Sequence, residues 1–239
     1  MLKKFLPLTL LGFFSIVPSV GANTFTQTTS TLDLLNGLNP IAGSNAQLTR
    51  DTATNQVSYT INTNSLPEGA YTNWWVVFNN PSACVGGCGE DDFARPGVDA
   101  SAFYATGNVV GSNGIGNFTA QVGLNSLPTG FDQVLFGNGL TNLLGAEIQT
   151  VIRWHGPLSS DPALAALQLN SFNGGCTTNG GVDGLFACQD RQLTAFAAVP
   201  ENMSPLPIIG TAIAFGIFAG AKRKRSTSDL TAPGREARK

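Results

Sequence analysis

The stretch Trp74-Trp75-Val76-Val77-Phe78 sets five large apolar residues in succession with no polar alternation. Successive side chains of a β-strand point to opposite faces, so such a run needs apolar cover on both sides and reads as a central strand. Neighbouring indoles on a strand cannot both line one sugar-binding platform. Burial of both Trp74 and Trp75 is the expectation.

Working outward, the neighbouring segments alternate. Val57, Tyr59 and Ile61 oppose Ser58, Thr60 and Asn62; Phe118, Ala120, Val122 and Leu124 oppose Thr119, Gln121 and Gly123; Ile148, Thr150, Ile152 and Trp154 oppose Glu147, Gln149 and Arg153. Each has the period of a half-buried strand. Residues Arg50 to Asn55 join Ala46–Thr49 to Val57–Asn62 as a hairpin turn, and Asn113-Gly114 suits a tight turn before Ile115 to Leu124. The fold class is all-β, an antiparallel two-sheet sandwich with a barrel as the next option. Short helices are expected only at Leu32 to Leu38 and at Pro162 to Leu169, the second with Asp161 as its cap and proline at its first position.

Four cysteines lie in two local pairs, Cys84 with Cys88 and Cys176 with Cys188. In an exported chain they are expected to form two disulfides within the pairs, bracing the Gly-rich loops Asn79 to Val98 and Asn173 to Asp190. A four-thiolate zinc site is the alternative, but neither pair has the close C-x-x-C spacing such sites prefer. The same loops carry Glu90, Asp91, Asp92, Asp183 and Asp190. Were the loops to meet, Glu90, Asp91, Asp92 and Asp183 would be calcium candidates, although no EF-hand spacing is present and solvated surface acids are the simpler reading.

The single histidine, His155, ends a strand in Arg153-Trp154-His155-Gly156-Pro157. It is the one candidate base. No nucleophile elbow, H-E-x-x-H pair, P-loop or dinucleotide fingerprint accompanies it, so a structural imidazole is expected and the domain reads as non-enzymatic.

The two ends speak of location. Residues 1–22 have a basic start at Lys3 and Lys4, an apolar run from Phe5 to Val17 and a small-residue exit at Val20-Gly21-Ala22, the layout of a signal peptide. Residues 23–198 are read as one exported domain. After Val199-Pro200-Glu201 comes an apolar stretch, Leu206 to Ala221, then Lys222-Arg223-Lys224-Arg225 and a tail, 226–239. About 16 apolar residues make a short span against the roughly 20 a bilayer needs, and the basic stop keeps the tail cytoplasmic. Of 13 basic residues in the chain only Arg50, Arg95, Arg153 and Arg191 lie in residues 23–201, which keep 13 of the 15 acids and a formal charge of −9. Such a lysine-free surface argues against nucleic acid or anionic lipid as ligand.

The order Pro-Glu, small-residue helix, basic cluster at residues 199–225 resembles the PEP-CTERM sorting signal of bacterial envelope proteins. Val199-Pro200-Glu201 matches its start, Gly210 to Ala221 its helix and Lys222 to Arg225 its stop. The resemblance implies the export machinery and an exosortase-type protease as partners, a precursor anchored in the inner membrane, and association with exopolysaccharide. The string Trp154-His155-Gly156-Pro157 is similar to an element of the CHRD family of extracellular β-domains, which implies an extracellular all-β module and no particular binding residue. The leading expectation is a non-enzymatic envelope or extracellular-matrix protein without a cofactor. A secreted hydrolase using His155 and a calcium-stabilised adhesion module are the alternatives.

Overall fold

A computed structural model describes residues 15–18, 24–176 and 187–200. These residues are mostly β and form two antiparallel sheets. The smaller sheet orders β1 (Ser15–Pro18), β2 (Thr24–Thr29), β5 (Asn45–Asp51), β6 (Gln56–Thr63) and β9 (Gly116–Gly123). The larger orders β10 (Val134–Phe136), β8 (Ala100–Val110), β7 (Gly69–Phe78), β11 (Glu147–Trp154), β12 (Gln189–Phe196), β3 (Leu32–Asp33) and β4 (Asn39–Pro40). One helix, α1 (Pro162–Asn170), packs on β7 and β8.

All ten residues of β7 are buried, as a strand with no polar face requires. Its inward side chains Tyr71, Trp75 and Val77 share one core with Leu48, Val57, Tyr59, Ile61 and Phe118 of the smaller sheet. Its outward side chains Val76 and Phe78 pack in a second cluster with Cys88, Val98, Ala100 and Ala102, covered by Phe93 and Phe136. Trp74 also points outward, meeting Tyr104 and Phe172 edge-on. Neither indole offers a sugar platform, since both are at most 2% exposed.

The helix comes close because Gly107 lets it. A Cβ at that position of β8 would sit 2.0 Å from the carbonyl oxygen of Leu169. The expected N-terminal cap is in place, with the Asp161 carboxylate accepting from Ala163 N at 2.8 Å. The other expected helix, Leu32 to Leu38, does not form. Asp33 accepts hydrogen bonds from the backbone of Leu35 and Asn36, and Gly37 and Leu38 take positive φ, so the segment turns back as β3 and β4. The turn around Asn113-Gly114 joins strands of different sheets, β8 and β9, and thus carries the chain round a corner of the sandwich.

The hairpin between β5 and β6 is present with a later start to its turn. Arg50 and Asp51 belong to the strand, and Arg50 follows Ala46 and Leu48 onto the inward face, fully buried. Its guanidinium has no carboxylate partner among the described residues; Nη1 donates to Leu143 O at 2.8 Å, Nη2 to Ala197 O at 3.0 Å and Nε to Gln27 Oε1 at 3.3 Å. Burial pulls its pKa down to about 10, so it is still a cation at neutral pH. Gln27 Nε2 donates to the same Ala197 oxygen, which fastens the end of the domain to the smaller sheet, and Val199 N donates to Leu144 O in the loop before β11.

The expected signal segment 1–22 and sorting segment 199–225, with its basic stop Lys222 to Arg225, lie largely outside the described residues. Ser15–Pro18, inside the former, pairs with β2 as an edge strand. Among the described residues no helix is long and apolar enough to cross a membrane.

Replacing Arg50 strands the buried acceptors Leu143 O and Gln27 Oε1, while Ala197 O keeps its bond from Gln27 Nε2. Arg50→Ala is expected to cost on the order of 3 kcal/mol of folding stability, with Arg50→Lys recovering only part of it because one ammonium cannot span the three acceptors. Urea denaturation of the two variants checks this, and an unchanged midpoint for Arg50→Ala would contradict the clamp.

Candidate functional site

The last residue of β11 leads into His155-Gly156-Pro157, and this corner docks on the start of β7. His155 N donates to Ala70 O and Ala70 N to Gly156 O, both at 2.9 Å. Gly69 permits the approach with φ of +147°; a Cβ there would lie 2.2 Å from Gly156 O. From α1, the buried Gln168 holds the far side, donating to His155 O and Pro157 O and accepting from Ser159 N.

The corner aims the imidazole into the protein, over the outward face of the larger sheet. His155 is fully buried. Its Nδ1 lies 2.7 Å from Gly174 O, which can only accept, so Nδ1 carries the proton. Its Nε2, 2.8 Å from Thr72 Oγ1, therefore accepts from the hydroxyl, and the same oxygen accepts from Trp74 Nε1 at 2.7 Å. A chain of three hydrogen bonds thus runs from indole through hydroxyl and imidazole to a loop carbonyl. Burial is the main cause of a pKa lowered to about 4; the Gly174 bond opposes it and nearby Arg153 reinforces it. The ring is neutral at physiological pH and both its nitrogens are engaged.

Both expected disulfides are formed, Cys84 to Cys88 and Cys176 to Cys188, and no free cysteine is present. The second lies against His155, with Sγ of Cys188 3.4 Å and Sγ of Cys176 3.9 Å from Nδ1. Arg153 closes the cluster. Its guanidinium covers the Phe172 ring at 4.0 Å, donates to Phe172 O and pairs with Asp190 at 2.8 Å.

The acidic candidates divide. Glu90, Asp91 and Asp92 form one 3-10 turn just after Cys88. Asp92 is turned inward, 2% exposed, where it pairs with Arg95 and accepts from Gly89 N. Its carboxylate is spent on closing the Cys84–Cys88 loop. The Glu90 carboxyl is raised from its ordinary value by burial, then by the neighbouring charges of Asp91 and Asp190. Asp183 lies outside the described residues.

Sequence reading missed Thr72, Gln168 and Arg50, whose polar side chains are buried here. Gln168 left a faint mark as a polar residue within Ala163 to Leu169, but nothing local distinguishes Thr72 from a solvated strand threonine. No family model, curated protein or solved structure matches the chain.

The imidazole links folding to pH in a set direction. Unfolded, His155 titrates near 6.5; folded, near 4, so between those values the unfolded chain binds a proton the folded one refuses. Stability is fully present above pH 6.5 and falls as pH drops towards 4, by on the order of 3 kcal/mol. His155→Gln removes this component, so the stability gap between wild type and variant should narrow across that window in denaturation series taken at successive pH values. Parallel losses in both proteins would assign the pH response to other groups.

Proposed function

We propose that this chain is an exported, non-enzymatic protein of the cell envelope or extracellular matrix, sorted through its C-terminal segment and associated with exopolysaccharide. The observation that carries this reading is the burial of Val199 next to an exposed Pro200. Val199 is 4% exposed with its N–H bonded to Leu144 O, whereas Pro200 is exposed. The change from a buried to an exposed residue at Val199-Pro200 coincides with the place where the resemblance to a PEP-CTERM signal puts the start of a segment for an exosortase-type protease. A processing motif has to be accessible to a protease, and the exposure of Pro200 supports this.

The other end supports the same reading. Among the described residues neither apolar cluster draws on one before Ala46, and removal of residues 1–22 takes away the edge strand β1. Two local disulfides suit the oxidising compartment such export leads to. The four arginines of the exported part are all engaged within the domain: Arg50 with backbone carbonyls, Arg95 with Asp92, Arg153 with Asp190 and Arg191 over the Trp154 ring. An acidic surface with its cations drawn inward disfavours nucleic acid as a partner. The burial of His155 and the engagement of both its nitrogens support a structural role over catalysis.

Intact-mass measurement on the surface-exposed protein from its own cell tests the reading. The mature chain is expected to begin near Asn23 and to end between Pro200 and Ser204, because the clamp on Ala197 and Val199 protects every earlier bond at this end. A surface form that retains Lys239 would overturn the sorting proposal.

A further inference from the structure

We propose that His155, Cys176 and Cys188 form a redox-gated site for a soft divalent cation of the zinc class. One donor atom of each residue lies within 4.8 Å of the other two. The chain has a single histidine, and of its two disulfides one is set against that ring. A cluster of one imidazole nitrogen and two sulfurs matches the preference of zinc, and it contains no carboxylate that would favour calcium.

The closed disulfide masks the ligands, since the thiolate is the metal-binding form of cysteine. A dithiol reductant opens it by supplying two electrons and two protons, leaving two thiols here and a disulfide in the reductant. Cation binding then releases those two thiol protons to solvent. The imidazole must offer Nδ1 to the metal, so its proton moves from Nδ1 to Nε2. Thr72 Oγ1, 2.8 Å away, has a lone pair for it beside the one that accepts from Trp74 Nε1. Thr72 then orients the ligand ring as outer-shell partners of metal-bound histidines do. Three protein ligands leave a fourth position for solvent, on the side of half-buried Cys188, because His155 and Cys176 are buried. The cation replaces the disulfide as the bond between the segments carrying Cys176 and Cys188.

The test uses the full exported protein, reduced with a dithiol, freed of it without oxygen, and titrated with Co²⁺ as an optical probe and then Zn²⁺. Reduced protein is expected to bind one Co²⁺ with a thiolate-to-cobalt charge-transfer band and tetrahedral d–d bands, both abolished by Zn²⁺; oxidised protein should show neither. Zn²⁺ should slow alkylation of Cys176 and Cys188 by an order of magnitude while Cys84 and Cys88 react at their metal-free rate. The double substitution Cys84→Ser, Cys88→Ser should keep the cobalt spectrum, and His155→Gln should lose or reshape it. If a variant does not fold, alkylation of the wild-type protein decides. Absence of the charge-transfer band in reduced protein, or equal protection of all four cysteines, would overturn the site.

Discussion

A strand with no polar face cannot stand at a surface, and β7 is such a strand. Its ten buried residues demand a layer on each side, and the two layers are built differently. The inner one is the second sheet, whose alternating strands supply Leu48, Val57, Tyr59, Ile61 and Phe118. The outer one has no sheet to draw on. It is assembled from α1, from the loop closed by Cys84 and Cys88, and from the segment that runs through Phe172 to Cys176. Gly-rich segments of that kind carry little apolar surface, which is why both are cross-linked where they lie on the sheet.

That outer layer also explains the treatment of polar groups. Thr72 and Trp74 face it from β7; Trp74 Nε1 donates to Thr72, and the Thr72 hydroxyl is left for the cover to satisfy. His155 does so as a connector with one acceptor and one donor, joining the strand to the loop carbonyl of Gly174. Gln168 serves the carbonyls of the same corner from the helix. A buried network is stable only when every member is paired, so strand, corner, helix and disulfide are mutually dependent.

Much of the frame was legible in the sequence because it rests on periodicity. The alternation around Val57, Phe118 and Ile148 and the unbroken run at Trp74 gave strands where strands occur, Asp161-Pro162 gave the helix start, and the local cysteine pairs gave the disulfides. Periodicity fails where polar side chains face inward. Gln192 and Thr194 of β12 are buried, bonded to Thr63 and Thr150 from elsewhere in the chain, so a central strand has the pattern of a surface one. Arg50 hid for the same reason, since a cation next to Asp51 resembles a turn and only the carbonyls of Leu143 and Ala197, distant in sequence, make it a core residue. At Leu32 to Leu38, where a short helix is expected, Asp33 bonds the following backbone and favours a turn instead. The meeting of His155 with Cys176 and Cys188 depends on three loops at once and has no local signature.

The position of β12 has a mechanical consequence. It is the last strand of the described chain, yet it lies between β11 and β3 rather than at an edge. Tension on the chain beyond Pro200 pulls along β12, loading its ladder with β11 in shear, many hydrogen bonds at once, instead of peeling them singly. Val199 on Leu144, then Ala197 in the grip of Arg50 and Gln27, take the load ahead of that ladder. A pull from β10, an edge strand of the same sheet, meets its pairing with β8 alone.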